Sequence, residues 1–247
     1  MERKIKYYRS LKHQKYRRKH NQFLIEGKRI INEANKNKVE LDIVFYTEFF
    51  KKKNPNFFDD LIIRGCHLES ISKQKMDKIS NTKSPSGIIG VCTFPNKKQL
   101  NFIPNKWLYL NSISDPGNLG TLLRTAAWFK INNIALSHNS LDPYNPKSIR
   151  AGMGAHFHLT IHSDININIL KKNNYHILGA DHRGEILTQS FKIPERWVLV
   201  LGNEAHGISK EINKKLDKVL AIPKPGTGDS LNISIAGAIL MHQLSKK

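Results

Sequence analysis

The sequence predicts an α/β protein in two parts, the second a parallel sheet with helices on both faces. Three observations predict it. Short apolar runs of strand length recur along the chain with helical patterns between them, the alternation that builds a parallel sheet covered on both faces. One stretch, "FPNKKQLNFIPN" (94–105), carries two prolines and no hydrophobic period, and so reads as a linker. The unusual polar residues and glycines gather in three loops that follow apolar runs, and open α/β sheets bind ligands outside the carboxyl ends of their strands.

The elements follow in order. The chain opens on a basic run, "MERKIKYYRSLKHQKYRRKH", with Tyr7, Tyr8 and Tyr16 among the cations. Cations beside aromatic rings suit phosphates and unstacked bases, and the same run is equally a solvated helix face or a frayed arm. Next come a strand "FLIEG" (23–27), a helix "KRIINEANKN" (28–37) and a strand "LDIVFYTE" (41–48). A helical patch near 55–63 precedes a helix "ISKQKMDKIS" (71–80) and a strand "GIIGVC" (87–92). Residues 1–94 thus form a small α/β domain with a basic arm, and 95–105 a linker.

From 106 to 247 the strands are "WLYLN" (107–111), "NIALS" (133–137), "YHILGA" (175–180), "WVLVLG" (197–202) and "VLAIP" (219–223). Helical patterns occupy 118–130, 164–172 and 209–216, and "SLNISIAGAILMHQLSKK" (230–247) ends the sequence as a helix.

Composition narrows the partners. The 247 residues carry 40 Lys and Arg against 20 Asp and Glu, a formal charge of +20. Such an excess favours a polyanion, nucleic acid or an acidic membrane surface, although a chain rich in Lys, Asn and Ile also reflects compositional bias. Cys66 and Cys92 form no CxxC pair, so neither a disulfide framework nor a zinc site is expected, and a reducing compartment is. The amino-terminal run lacks the apolar core of a signal peptide, and no apolar run is long enough to span a bilayer. A soluble intracellular protein is the expectation.

In the first of the three loops, "WLYLNSIS" runs into the turn signal "DPGN" and then into a helix with Asn118 placed as its cap. Leu119, Leu122, Leu123 and Ala126 form the buried stripe of that helix. Arg124 lies to one side, with Gly120 and Thr121 one turn before it and Trp128 one turn after. Small residues beside a guanidinium leave room for a ligand backbone. Arg124 stacked on Trp128 at the surface is the plainer alternative, and it leaves Gly120 unexplained.

The second loop, "LVLGNEAHGIS" (199–209), sets Gly202 and Gly207 around Glu204. Glycines there suggest backbone that approaches a ligand closely, and Glu204 can accept from an amine, a hydroxyl or an arginine. An ordinary strand-to-helix turn with a surface glutamate fits that stretch as well. The third loop, "IPKPGTGDSLNISIAGAI" (222–239), places Ser230 as a helix cap and Asn232 in the first turn, ahead of a small apolar body. No P-loop and no GxGxxG after a strand is present, which argues against a nucleotide-driven enzyme.

Taken in order, the three loops closely resemble the motifs of the SpoU (TrmH-like) RNA ribose methyltransferases of the SPOUT superfamily. "NSISDPGNLGTLLRTA" looks like their first motif, "LVLGNEAHGIS" their second and "IPKPGTGDSLNISIAGAI" their third. "KSIRAGMGAHFHL" (147–159) resembles the segment between the first two, and "KYRRKHNQFLIEGKRIINEA" resembles the family's ribosomal-protein-like substrate-binding domain. The chain departs from the family's usual residues at Gly152, Ala205 and Asp229.

The resemblance implies a SPOUT-type sheet with a carboxyl-terminal trefoil knot, an exception to the rule that chains avoid knots. It implies S-adenosylmethionine as cofactor, held at Gly202, Gly207, Ile222 and Leu231 largely through backbone. It also implies methyl transfer to a ribose 2′-hydroxyl of ribosomal RNA (the large-subunit type favoured) or of transfer RNA. Arg124 is then the residue at the nucleophile. Asn118, Ser230 and Asn232 are hydrogen-bonding groups for ribose and phosphate, and Glu204 orients Arg124 or the neighbouring backbone. A homodimer in the cytoplasm, without metal, completes the expectation. The alternative, a non-catalytic RNA-binding or ribosome assembly factor, accounts for the charge but not for three intact motifs.

Overall fold

The computed structural model describes residues 2–96, 99–188 and 191–246. They fall into two compact units, residues 1–97 with 144–157, and residues 98–143 with 158–247.

The first part of the chain comprises α1 (Glu2–Ser10), α2 (Gln14–His20), β1 (Gln22–Glu26), α3 (Lys28–Lys36), β2 (Leu41–Tyr46), α4 (Glu48–Lys53), α5 (Asp59–Ile63), β3 (Leu68–Ser70), α6 (Lys73–Ile79) and β4 (Ile88–Thr93). Its four strands pair in the order β1-β4-β2-β3, antiparallel except for β2 with β3. Side chains alternate across a strand, and both faces of this sheet are apolar. Phe23, Ile25 and Val44 pack with Ile30, Ile31 and Ala34 of α3 on one face. Leu24, Ile43 and Phe45 pack with Ile5 of α1, Leu11, and Met76 and Ile79 of α6 on the other. Each such fully buried side chain contributes about 2 kcal/mol. The basic run is therefore two packed helices and not a frayed arm.

The rest of the chain comprises β5 (Lys106–Leu110), α7 (Pro116–Trp128), β6 (Asn133–Leu136), α8 (Pro146–Gly152), β7 (Thr160–His162), α9 (Asn168–Lys172), β8 (His176–Ile186), β9 (Trp197–Leu201), α10 (Lys210–Asn213), β10 (Lys218–Ala221) and α11 (Ile233–Ser245). Six strands form one wholly parallel sheet in the order β10-β8-β9-β5-β6-β7. Helices cover both faces, as the alternation predicts. On one side Leu108, Leu110, Leu199 and Leu201 meet α7 and α11 through Leu119, Leu122, Leu123, Leu240, Met241 and Leu244. On the other, Trp107, Tyr109, Val198 and Val200 meet Leu170 of α9 and Ile212 of α10. Gly237 lets α11 lie close, since a Cβ there would stand 2.6 Å from Leu122 Cδ2 and 2.7 Å from Leu201 Cδ1.

Helices α4 and α8 lie outside the expected helical patterns, α9 is shorter than the expected 164–172, and three further features depart from the expected pattern. The segment 144–157, between β6 and β7 in the chain, packs with the first unit. There Ile149 joins the cluster around Phe23 and Ile25, and the Tyr144 ring lies 4.9 Å from that of Phe23. Strand β8 runs on to Ile186, six residues past the expected end, because its outer half pairs with β10 across a register shift. The short strands β3 and β7 sit at sheet edges, where three residues suffice for pairing and leave little pattern to detect. Among the described residues no helix is long and apolar enough to cross a membrane.

Candidate functional site

Strands β5 and β9 are neighbours in the parallel sheet, so the loops at their carboxyl ends lie side by side. The pairing continues beyond the strands: Asn111 N donates to the Leu201 carbonyl at 2.8 Å, and the buried Asn111 side chain accepts from Ser209 N at 2.8 Å. Ser112 turns the chain with φ at 57° and is held by Ser137 Oγ, which accepts from its N–H at 2.8 Å.

The second loop is a closed ring. Asn203 N donates to the Gly207 carbonyl at 2.8 Å, and Gly207 N returns a bond to the Asn203 carbonyl at 2.9 Å. The Asn203 side chain accepts from the backbone N–H groups of Ala205 and His206 and donates to the Ser112 carbonyl at 2.8 Å. Gly207 supplies the left-handed φ of 67° that the return requires. Gly202 is needed because a Cβ would fall 2.1 Å from the Gly207 carbonyl carbon, against backbone that cannot move aside. The closeness read into these two glycines is thus first of all the loop's own closure.

Glu204 leaves this ring at the surface and reaches the first loop. Its carboxylate accepts from Ser114 N at 3.2 Å, Ser114 Oγ at 2.8 Å, Asp115 N at 3.1 Å and Asn118 Nδ2 at 3.3 Å. Partial burial pushes its pKa up, but hydrogen bonds from its own backbone, Ser114, Asp115 and Asn118 outweigh that, and the net shift is down. Of the two partners expected for Glu204, Arg124 or the neighbouring backbone, its carboxylate is bonded to the backbone of Ser114 and Asp115. Among the described residues no hydrogen bond or ion pair joins it to Arg124.

Asn118 carries the connection onward. Its Oδ1 accepts from Asn232 Nδ2 at 3.1 Å, so one amide touches both the second and the third loops. Neither of the expected caps holds. Helix α7 is capped by Asp115, whose carboxylate accepts from Asn118 N at 2.7 Å, with Pro116 in its first turn. Asn118 lies inside the helix, where its side chain is free to bridge loops. Helix α11 is capped by Asn232, which accepts from Ser234 N at 2.8 Å and Ser234 Oγ at 2.6 Å, while Ser230 lies outside it and is exposed.

The third loop is open where the second is closed. Residues 223–231 are all exposed, and among the described residues they make no hydrogen bond. Ile222 at its root is half-buried against the core, and Leu231 at its far end is 52% exposed. Arg124 is likewise exposed and has no hydrogen-bond, ion-pair or ring partner among the described residues, Trp128 included. Gly120 is buried with the apolar stripe of α7 and offers no clearance at the surface. The described residues hold no cluster of side chains able to bind a metal.

The structure brings Asn118, Glu204 and Asn232 into one bonded set, and leaves the side chains of Arg124, Ser230 and Leu231 without a partner among the described residues. Sequence reasoning missed Asn111, Ser114, Asp115 and Asn203, which fasten the loops. Asp115 was detectable, since an Asp directly before a Pro is a helix-start signal. Asn111 was detectable as a polar residue at the end of an apolar strand.

Fold and site together define an α/β protein with a candidate site at the carboxyl ends of a parallel sheet. The chain belongs to the SpoU rRNA Methylase family, whose model matches residues 105–242; a second model, the MRM3-like substrate binding domain, matches residues 2–90. It is 30% identical to the 23S rRNA (guanosine(2553)-2′-O)-methyltransferase RlmP of Bacillus subtilis, over 98% of this chain and 95% of that protein. It is 26% identical to the mitochondrial rRNA methyltransferase 3 of Xenopus tropicalis, over 94% of this chain and 71% of that one. The fold matches the SpoU methyltransferase AviRb of Streptomyces viridochromogenes, solved with AdoMet, at a TM-score of 0.84 and 20% identity, covering 98% of this chain and 96% of that one.

Proposed function

We propose that this protein methylates a ribose 2′-hydroxyl of ribosomal RNA, with S-adenosylmethionine as methyl donor. The observation that carries the reading is the bonded set Glu204–Asn118–Asn232, which ties three strand-end loops together at the helix that also carries Arg124, whose side chain has no partner among the described residues. The membership in the SpoU family and the names of the relatives supply the chemistry.

The residues present fit the cofactor. The third loop offers backbone groups without internal partners between a half-buried Ile222 and an exposed Leu231, as an apolar ring and a polar tail both require. Gly207 is open on its outer side, with nothing within 4 Å of where a Cβ would stand. Gly202, Gly207, Ile222 and Leu231 would hold it. When bound, S-adenosylmethionine supplies a methyl group on a sulfonium, an electrophile that needs no further activation.

The chain's own residues must align the hydroxyl, let its proton leave and steady the developing alkoxide. A guanidinium keeps its proton in proteins, so Arg124 acts as a clamp on phosphate and alkoxide, and the proton passes to phosphate or water. Asn118 and Asn232 are held in orientation by Glu204 and by each other, and Ser230 remains available to the substrate. The 2′-hydroxyl is also what separates RNA from DNA at such a site.

The carboxyl-terminal segment is read as the family's trefoil knot and the assembly as a homodimer in the cytoplasm. Trp128 on α7 is 82% exposed and Ile235 on α11 is 51% exposed, apolar surface suited to a second copy. Residues 1–94 are read as the RNA substrate-binding domain, 95–105 as a linker and 106–247 as the catalytic domain, a reading supported by family models at 2–90 and 105–242. Calorimetry with S-adenosylmethionine, followed by mapping of 2′-O-methyl groups in total RNA with and without the gene, tests the function. Uptake of the cofactor and loss of one large-subunit mark are the expected result; no uptake would leave only the RNA-binding alternative.

A further inference from the structure

The amino-terminal basic run is put to two uses by the fold. Lys4 pairs with Glu69, Lys12 donates to the Ser80 carbonyl, and Arg17 is 1% exposed with its Nη1 donating to the carbonyls of Leu11 at 3.0 Å and Lys12 at 2.8 Å. These three cations fasten α1 to β3, the turn after α1 to the end of α6, and α2 to that turn. The remaining six, Arg3, Lys6, Arg9, Lys15, Arg18 and Lys19, are exposed and have no partner among the described residues.

Between them runs a row of four rings. The Tyr7 and His20 centroids are 4.5 Å apart, His20 and Tyr16 are 6.3 Å apart with their planes within 10° of parallel, and Tyr16 and His13 are 6.5 Å apart. The inner end is anchored: Tyr7 Oη donates to Gln22 Oε1 at 2.7 Å, and Gln22 Nε2 donates to Asp42 Oδ2 at 2.6 Å. The outer end is open, with His13 exposed and Tyr16 38% exposed. An anchored ladder of rings bordered by unpaired cations has the makeup of a single-strand binding platform, in which bases stack and phosphates meet charge.

We propose that the α1–α2 hairpin binds unpaired RNA nucleotides, stacking bases on Tyr16 and its neighbouring rings while Lys15, Arg18 and Lys19 meet the backbone. The inference rests on the reading above that RNA is the substrate, and adds which part of the RNA this face takes. A duplex keeps its bases stacked on one another, so the rings add affinity for single strands and none for paired RNA.

The test uses the full chain and the fluorescence anisotropy of a labelled oligouridylate of about ten nucleotides, a length suited to one such site. Tyr16→Ala is expected to weaken binding about tenfold, the usual worth of one stacked base, and Tyr16→Phe to retain it. The same alanine variant leaves binding of a blunt RNA duplex and uptake of S-adenosylmethionine unchanged. Wild-type affinity in Tyr16→Ala, or equal losses on single strand and duplex, overturns the proposal and spares the methyltransferase reading. A wild-type chain that takes up S-adenosylmethionine but binds neither RNA overturns both.

Discussion

Within one site, two kinds of residue stand side by side. Glu204, Asn118, Asn203 and Asn232 are bonded to each other or to backbone, while the Arg124 side chain and residues 223–231 have no hydrogen-bond partner among the described residues. The difference separates groups that build the site from groups that meet what enters it. A carboxylate with four donors has no capacity to spare for a ligand. An exposed guanidinium with none has all five of its donors free. On the function proposed above, orientation comes from the second loop, and contact from α7 and the third loop.

Substitutions break this division in graded ways. Arg124→Ala removes a contact group and no structural bond, so kcat for methyl transfer should fall about a thousandfold while S-adenosylmethionine affinity and the thermal midpoint stay as they were; normal turnover would end the assignment. Glu204→Ala removes a positioning group. It should cost about a hundredfold in transfer through misplacement of Asn118, and unlike the arginine variant it should also weaken cofactor binding in the same calorimeter. Gly202→Ala pushes a methyl into the Gly207 backbone and should lower stability by about 2 kcal/mol, seen as a drop in the thermal midpoint.

The smallest effect is on pH dependence. The Glu204 carboxyl titrates lower in the folded protein than its ordinary 4.5, so its contribution is complete above that value and is lost as pH falls through the folded one. Glu204→Gln should flatten the fall of the thermal midpoint between neutral and acidic pH. An unchanged slope would show that those four donors are not specific to the charge.

Much of this division was legible beforehand. Alternation of apolar runs located five strands of the parallel sheet to within a residue or two at most ends, because strands buried on both faces carry a continuous apolar signal. The three loops stood out by their glycines and amides. What was hidden depended on partners distant in sequence. Asn118 and Ser230 are both good cap formers, and only the folded backbone decides that Asp115 and Asn232 hold those places. Gly120 looked like surface clearance because a glycine says nothing of which side it faces. The packing of 144–157 with the first unit rests on Ile149 and Tyr144 meeting residues more than a hundred positions away.

Burial of Arg17 has a quantitative consequence for the basic run. Ions released on RNA binding come only from cations that phosphates can reach, so the nine lysines and arginines of residues 1–20 do not all count. With Lys4, Lys12 and Arg17 engaged in the fold, six remain. At about 0.7 ions per contact on a single strand, this face can steepen the salt dependence of RNA affinity by at most about four powers of the salt concentration. A formal charge read from the sequence sets an upper bound, and the hydrogen bonds of one buried guanidinium begin to bring it down.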